Sequence, residues 1–362
     1  MQKYYNLKNI LSKHAIYNII IGERSNGKTF AILEYGLQRY VKYGEQMGVV
    51  RRWQDDFRGK RASVMFNGLV EREVIKKLTK NEWDNVSYYS GRWFLSRMEN
   101  DNLIKDKKPF AYAFSLSTME HDKSTSYPEI TTVFFDEFLS RGLYLPDEFV
   151  IFMNVLSTII RDRNNVKIFM AGNTVNQYSL YFSEMGLNHI KKMQPGDIDI
   201  YEYGDSGLKV AVEYADSPNK GKPSDIYFAF DNPKLSMITS GEWEIDVYPH
   251  CPCKYLPKDI VLTYFIKFDQ EILQAEIINT GDKMFTYIHR KTSEIKNPDV
   301  DIIFSPEYDA RPNWFRKITT RTTSKIVKKI ATFFLEDNVY YQDNDVGEIV
   351  RNYLIWQRSD SQ

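Results

Sequence analysis

The sequence predicts an α/β domain built on a mostly parallel sheet, followed by a smaller α+β domain. Three observations predict it. Across the first half, short apolar runs alternate with helically patterned stretches, as when parallel strands are wrapped by helices. Near the start, the apolar run Tyr17-Asn18-Ile19-Ile20-Ile21 passes through Gly22-Glu23-Arg24-Ser25-Asn26-Gly27-Lys28-Thr29 into Phe30, Ile32, Leu33 and Leu37 at helical spacing. Beyond about Glu244 the texture changes to alternating runs joined by short turns, an antiparallel pattern. At 362 residues the chain is long for one core, so two domains are expected, 1–215 and 246–362, with a linker at 216–245.

The remaining elements follow in chain order. Met47-Gly48-Val49-Val50 reads as a second buried strand that ends at Arg51-Arg52. Val86–Tyr89 and Arg92–Leu95 flank Ser90-Gly91, a turn pair, and read as a hairpin. Ala111 to Ser115 is a further strand. Val133-Phe134-Phe135 runs into Asp136-Glu137, and Val166 to Met170 runs into Gly172-Asn173. Between them Glu148 to Ile160 carries a helical apolar pattern. The run Ser217-Pro218-Asn219-Lys220-Gly221-Lys222-Pro223-Ser224 has linker composition. Val261–Phe268, Ile272–Ile278 and Met284–His289 read as an antiparallel meander, turning at Thr280-Gly281-Asp282. Helical stretches near Ser324–Leu335 and Val346–Trp356 follow. There is no internal repeat or low-complexity tract.

Hydrophobic content of 43% with 15% aromatic residues supports packed cores and argues against general disorder. Lys+Arg and Asp+Glu both number 48, so bulk charge announces no nucleic-acid partner and any such contact must come from local patches. No apolar run approaches the roughly 20 residues that span a bilayer, and the start lacks a signal-peptide apolar region. A soluble, non-exported protein with no membrane partner is expected. The two cysteines stand in His250-Cys251-Pro252-Cys253. That count excludes a disulfide framework, and C-x-C without a nearby fourth ligand is a weak zinc spacing, so reduced thiols beside a turn proline are expected.

The octapeptide Gly22–Thr29 fits the phosphate-binding pattern G-x-x-x-x-G-K-[ST] without a gap. Strand, glycine loop and helix together supply backbone N–H groups and a helix N-terminus to cradle phosphate oxygens. Gly22, Glu23, Arg24, Ser25, Asn26, Gly27, Lys28 and Thr29 are thus the candidate nucleotide-binding residues. Lys28 is expected to reach the β/γ-phosphates of ATP, and the Thr29 hydroxyl to ligate Mg²⁺. Hydrolysis also needs a carboxylate for Mg²⁺ and a base for the attacking water. Asp136 fits the first role and Glu137, on the opposite side of the strand end, the second; solvated acids after a buried strand are the plainer alternative. Asn173 is placed to read the γ-phosphate and tie it to Asp136, or to form an Asx turn. Arg161 and Arg163, before the next strand, are candidates to neutralise charge on a neighbour's γ-phosphate, or ordinary surface arginines.

Several stretches together resemble the DNA-packaging ATPases of small tailed phages with protein-primed genomes, the bacteriophage phi 29 type. They are Ile20 to Thr29, Lys42-Tyr43-Gly44-Glu45-Gln46 leading to Val50-Arg51-Arg52-Trp53, Asp122 to Pro128, Val133 to Phe138, and Ile160-Arg161-Asp162-Arg163-Asn164. They recur in order over roughly residues 1–195; the second half is similar only in layout. The resemblance implies a P-loop NTPase core of the additional-strand catalytic-glutamate (ASCE) type. It also implies a homopentameric ring on the prohead's portal vertex that engages a packaging RNA and drives double-stranded DNA inward. Such a protein works in the host cytoplasm, transiently at the portal vertex, and is absent from the mature virion. By the same resemblance Arg24 is a basic loop residue, Arg161 a trans-acting arginine finger, and Lys123 a loop lysine acting across the subunit interface. A further basic position is here Gln54, which leaves trans contacts at that position in doubt.

In this family the second domain resembles an RNase H-type nuclease that has lost its cutting function. Asp269, Glu271 and Glu276 lie on or beside its first strands and are the acids that could gather a metal. For a nucleic-acid motor, the stretch Arg311 to Leu335 is the leading contact. It holds Arg311, Arg316, Lys317, Arg321, Lys325, Lys328 and Lys329 with no acid until Glu336. A solvated helix face is the default alternative. Arg51-Arg52 and Arg58-Gly59-Lys60-Arg61 form a second patch, unless internal carboxylates hold the first pair. Two rival functions stay open: a complete terminase that also cuts DNA, and a switch protein in which ATP only gates binding.

Overall fold

A computed structural model describes residues 4–121, 125–205, 207–216 and 243–359. The chain divides into two compact units, Met1–Arg141 with Asp147–Glu244, and Gly142–Pro146 with Ile245–Gln362. Most of the expected linker, residues 217–242, lies outside the described residues.

The first unit is built on one sheet. Its strands are β1 (Tyr17–Gly22), β2 (Gln46–Arg51), β3 (Asn85–Tyr89), β4 (Arg92–Glu99), β5 (Asn102–Lys105), β6 (Ala111–Ser115), β7 (Ile130–Asp136), β8 (Lys167–Asn173), β9 (Ile198–Tyr203) and β10 (Leu208–Tyr214). The order is β3-β4-β6-β2-β7-β8-β1-β10-β9, with β5 on β4. From β6 to β10 every neighbouring pair is parallel. Every residue of β7 is buried, as is β1 after its first residue. These strands are rich in apolar residues with no polar–apolar alternation because helices cover both faces of a parallel sheet. The helices are α1 (Lys8–Leu11), α2 (Lys28–Tyr43), α3 (Lys60–Ser63), α4 (Asn67–Glu71), α5 (Val74–Leu78), α6 (Glu148–Ile160) and α7 (Leu180–Glu184). Buried Ile32, Leu33 and Leu37 of α2 join Ile20, Val49, Phe134 and Phe169 of the sheet in one core.

β8 lies between β1, which carries the phosphate loop, and β7, which ends in the acids. That interposed strand is the ASCE arrangement. The hairpin β3–β4 forms as expected, with Ser90 at φ 49° and Gly91 at φ 74° supplying the left-handed turn.

The second unit carries a six-stranded sheet in the order β15-β14-β11-β12-β13-β16. Its strands are β11 (Ile260–Phe268), β12 (Glu271–Asn279), β13 (Met284–Arg290), β14 (Ile302–Phe304), β15 (Trp314–Phe315) and β16 (Val339–Tyr341). The expected meander β11–β13 is antiparallel, while β14 runs parallel to β11 and β15 parallel to β14. Helix α8 (Lys325–Leu335) starts at Ser324, whose hydroxyl accepts a bond from the Val327 N–H at 3.3 Å. Helix α9 spans Asn344–Ser359. Among the described residues no helix is long and apolar enough to cross a membrane.

Candidate functional site

The phosphate loop joins β1 to α2, and its backbone sets its shape. Gly27 has φ +98°, a conformation that a side chain disfavours, and a Cβ there would lie 3.3 Å from Tyr4 Cβ. At Gly22 a Cβ would meet the Ala215 carbonyl oxygen at 2.9 Å. Ser25 also takes a left-handed φ of 60°. Inside the loop the Lys28 ammonium donates to the carbonyls of Gly22 (3.1 Å) and Glu23 (2.6 Å), and to Oδ1 of Asn26 (3.3 Å) and Asn173 (3.4 Å). Burial lowers the Lys28 pKa to about 8, against the raising effect of Asp136 and Glu23. A buried ammonium whose hydrogen-bond partners are neutral oxygens is a site for an anion. The Asn26 amide nitrogen is likewise buried, with no partner among the described residues.

Asp136 ends β7 and lies beside the loop. The Thr29 hydroxyl donates to its Oδ1 at 3.0 Å. Its Oδ2 accepts from Nη2 of Arg51, at the end of neighbouring β2, and Arg51 Nη1 reaches Glu137 Oε2 at 3.0 Å. Burial pushes the Asp136 carboxyl up from the usual aspartate range, against the pull of Arg51. Glu137 was expected on the opposite side of the strand end. Instead its left-handed φ of 58° breaks the alternation, and one guanidinium contacts both carboxylates. The Glu137 side chain stays 63% exposed, open to water.

Asn173, aligned with Gly22 across β8 and β1, faces Lys28. No bond joins it to Asp136 in the structure. Arg24 is exposed, with no partner among the described residues. Lys123 lies outside the described residues. Arg161 caps α6 with φ 50° and is exposed, and its Nη2 donates only to the Thr125 carbonyl at 3.3 Å. Arg163 instead donates to the carbonyls of Tyr127, Pro128, Ile130, Ile159 and Ile160. It pins the segment that leads into β7.

The pair Arg51-Arg52 is held by internal carboxylates and forms no exposed patch. Arg52 bonds Glu148 through Nε (2.7 Å) and Nη2 (2.9 Å), and Tyr181 also donates to Glu148 at 2.8 Å. Arg58 pairs with Asp55 at 2.9 Å, while Lys60 and Arg61 are exposed.

In the second unit the basic stretch is less free than its sequence suggests. Arg311 is paired with Asp309 and Asp299, acids upstream of the run. Arg316 donates to the Pro306 carbonyl and lies 5.2 Å from the Trp356 ring centre, and Lys317 is half-buried. Arg321, Lys325, Lys328 and Lys329 are exposed, the three lysines opposite buried Val327, Ile330 and Ala331 of α8. The acids do not gather. Asp269 sits in the β11–β12 turn and Glu271 pairs with Arg290 at 2.9 Å. Glu276, five residues on and hence on the other face of β12, accepts from Tyr255 and Gln274. Among the described residues no His, Cys, Asp or Glu cluster could hold a metal, and Cys251 and Cys253 are free.

Sequence reasoning missed one part of the pocket. A cavity of 220 Å³ is lined by Ser25 to Thr29 and Asn173, and also by Tyr4, Phe30 and Arg72. Phe30 read as core from its helical spacing. Nothing in the sequence signals that Tyr4 folds back onto residue 27.

A model of the Podovirus DNA encapsidation protein (Gp16) family matches residues 1–202. The chain belongs to that family. The match takes in the loop, the acids, Asn173 and Arg161 of this encapsidation-family chain and stops short of the basic stretch. The DNA packaging proteins of Bacillus phages PZA and phi29 are each 31% identical to it over 186 residues, 50% of this chain and 50% of each relative. The chain thus spans about half the length of the curated relatives it matches. In structure it is similar to the bacteriophage Phi-29 viral genome packaging motor assembly, with TM-score 0.58 and 20% identity over 98% of this chain and 99% of that one. It is also similar to the Phi-28 gp11 DNA packaging motor, with TM-score 0.54 and 17% identity over 100% and 97%. At these identities the likeness is one of fold.

Proposed function

We propose that this chain is the ATPase of a DNA-packaging motor, hydrolysing ATP to drive double-stranded viral DNA into a prohead. The observation that carries this reading is the bond from Thr29, next to Lys28 in the loop, to Asp136, which Glu137 directly follows, across the interposed strand of a chain in the encapsidation family.

In this reading the loop N–H groups and Lys28 bind the triphosphate, and Asn173 steadies Lys28 at the end where the γ-phosphate lies. Thr29 and Asp136 offer a hydroxyl and a carboxylate oxygen 3.0 Å apart, hard donors that fit Mg²⁺. Held there with the nucleotide, Mg²⁺ would supply positive charge to offset that of the phosphates. Glu137, open to water beside Asp136, orients and deprotonates the attacking water, a role a pure switch would not need. Arg161 acts in trans, because it is exposed and loosely held; Arg24 supplies further positive charge at the loop. Lys123 is proposed as a second trans-acting residue.

A ring of copies, a pentamer by family likeness, would supply those interfaces at the portal vertex, with a packaging RNA between. For nucleic acid we assign Arg321, Lys325, Lys328 and Lys329, with Arg316 and Lys317 at the margin. The sheet order of the second unit, three antiparallel strands extended by two parallel ones beside the first, supports an RNase H-like reading. Its scattered acids argue against cutting. The test is ATP turnover by the purified chain alone, with double-stranded DNA, and with proheads. Turnover that rises with each addition is expected; turnover indifferent to both DNA and proheads would refute the motor.

A further inference from the structure

The cavity over the phosphate loop has two chemically different ends. At one, Lys28 and Asn173 meet, and there the terminal phosphate of a triphosphate belongs. At the other are Tyr4, Phe30 and Arg72, whose guanidinium carbon is 4.3 Å from the Tyr4 ring centre and 5.0 Å from that of Phe30. A triphosphate laid along the loop from Lys28 carries its ribose and base toward that second end.

We infer that Tyr4 and Arg72 form the nucleobase subsite, which grips a purine by stacking on ring and guanidinium faces. The inference rests on the nucleotide reading above and extends it to the base. Three observations build the subsite. Tyr4 is fixed to the loop it serves: the next residue, Tyr5, donates its N–H to the Asn26 carbonyl at 3.0 Å and its hydroxyl to Glu213 at 2.6 Å. Phe30 follows the loop directly, on the first turn of α2, so its ring stands where the sugar and base must leave. Arg72 reaches in from the junction of α4 and α5, so the base would bring a separate part of the unit into contact with the loop.

The chemistry sets the selectivity. Flat rings and a guanidinium plane attract any π-face, larger ones more strongly. Arginine offers donors only, and among the described residues that line this cavity there is no carboxylate to accept from the exocyclic amine of adenine. The subsite therefore separates purine from pyrimidine, and base from no base, better than it separates ATP from GTP.

The experiment titrates the full chain with ATP, GTP, CTP and inorganic tripolyphosphate, in wild type, Arg72→Ala, Arg72→Lys, Tyr4→Ala and Tyr4→Phe. Wild type should bind ATP and GTP within a few-fold of each other, and both about tenfold or more tighter than tripolyphosphate. Arg72→Ala should lose about tenfold for ATP while tripolyphosphate stays within twofold. Tyr4→Phe should match wild type, and Arg72→Lys should fall between. Tyr4→Ala also loosens the contact with Gly27, so loss of both ligands there reports the loop, and Arg72→Ala decides. An unchanged ATP-to-tripolyphosphate ratio in Arg72→Ala overturns the subsite and leaves nucleotide binding standing. A wild type that binds neither ligand overturns both.

Discussion

Arg51 and Asp136 form an ion pair between neighbouring strands, and the Asp136 side chain is only 4% exposed. The pairing of Val50 with Phe135 brings the two strand ends side by side. A carboxylate this dry keeps its charge only with a close cation. Arg51 supplies that cation and also reaches Glu137, so one β2 residue sets the position of both acids. In the proposed chemistry Arg51 and Mg²⁺ therefore compete for one carboxylate.

Arg51→Ala tests that competition. With its partner gone, Asp136 is left as an uncompensated buried charge, which typically costs about 3–5 kcal/mol. The variant should melt lower than wild type in EDTA and recover more of the difference than wild type does when Mg²⁺ and ATP are added. Half-maximal turnover should also need less Mg²⁺. An equal melting loss with and without Mg²⁺–ATP would mean that Arg51 acts only as a strut.

Glu137→Gln separates binding from chemistry. The amide keeps the size of the side chain but cannot take a proton, so ATP binding should stay within a few-fold while turnover falls by about 10²–10⁴. Lys28→Ala should weaken binding itself. Turnover like that of wild type in Glu137→Gln would remove Glu137 as base.

Much of this site could be read from sequence because it is local: the loop, its flanking strand and helix, and the acids after β7 are contiguous signals. What lay hidden depends on distant partners. That Arg51 holds Asp136 and Glu137 is set by strand order, and that Arg52 meets Glu148 by the place of α6. Asp309 and Asp299 cancel Arg311 from outside the window in which its charge was counted. Strands β9 and β10 carry little signal in the sequence: β9 alternates polar and apolar residues at a sheet edge, and neither stands next to a chemical motif along the chain, although β10 pairs with β1 in the sheet. The left-handed turn at Glu137, which brings the two acids onto one arginine, has no sequence mark.

The two basic patches should respond in opposite ways. Replacing Lys325, Lys328 and Lys329 by Ala should leave melting nearly unchanged and flatten the salt dependence of DNA or RNA binding. Each lost phosphate contact lowers the log–log slope by roughly 0.7–0.9. Arg52→Ala breaks a buried pair, so it should lose about 3–5 kcal/mol of stability in denaturant melts, with the salt slope unmoved. An unchanged slope in the triple variant would return α8 to a solvated face.

His289 should titrate above an ordinary histidine. Its Nδ1 lies 3.1 Å from the Arg290 carbonyl and its Nε2 3.6 Å from Glu276, so only the imidazolium satisfies both acceptors. Donation of the His289 ring N–H toward the Glu276 carboxylate raises the histidine pKa, against partial burial and nearby Lys291, and the same interaction lowers that of Glu276. A raised histidine stabilises fully below its unfolded value, roughly 6.5, and that contribution fades as pH climbs through the higher folded value. Glu276 behaves oppositely, its contribution fading as pH falls below the usual glutamate range. An NMR pH titration should place His289 above about 6.5, and Glu276→Gln should bring it down. A His289 midpoint unmoved by Glu276→Gln would dissolve the pair.

Arg161 and Arg163 are separated by what holds them. Arg163 spends its guanidinium on carbonyls at both ends of the segment entering β7, so Arg163→Ala should cost about 2 kcal/mol or more in stability. Arg161 has one long bond, to Thr125, and Arg161→Ala should fold like wild type. If Arg161 reaches a neighbour's γ-phosphate, that variant should bind ATP almost normally and hydrolyse it slowly, because the lost charge matters most in the transition state. Glu137→Gln subunits keep the arginine and lack the base, whereas Arg161→Ala subunits have the reverse defect. Mixing the two inactive proteins then creates interfaces where an intact Glu137 faces an intact Arg161. ATPase activity should reappear in proportion to the fraction of such interfaces as the mixing ratio is varied. A co-assembled mixture as inactive as either parent would place the action of Arg161 within its own subunit, since no arrangement of cis-acting defects restores a complete site.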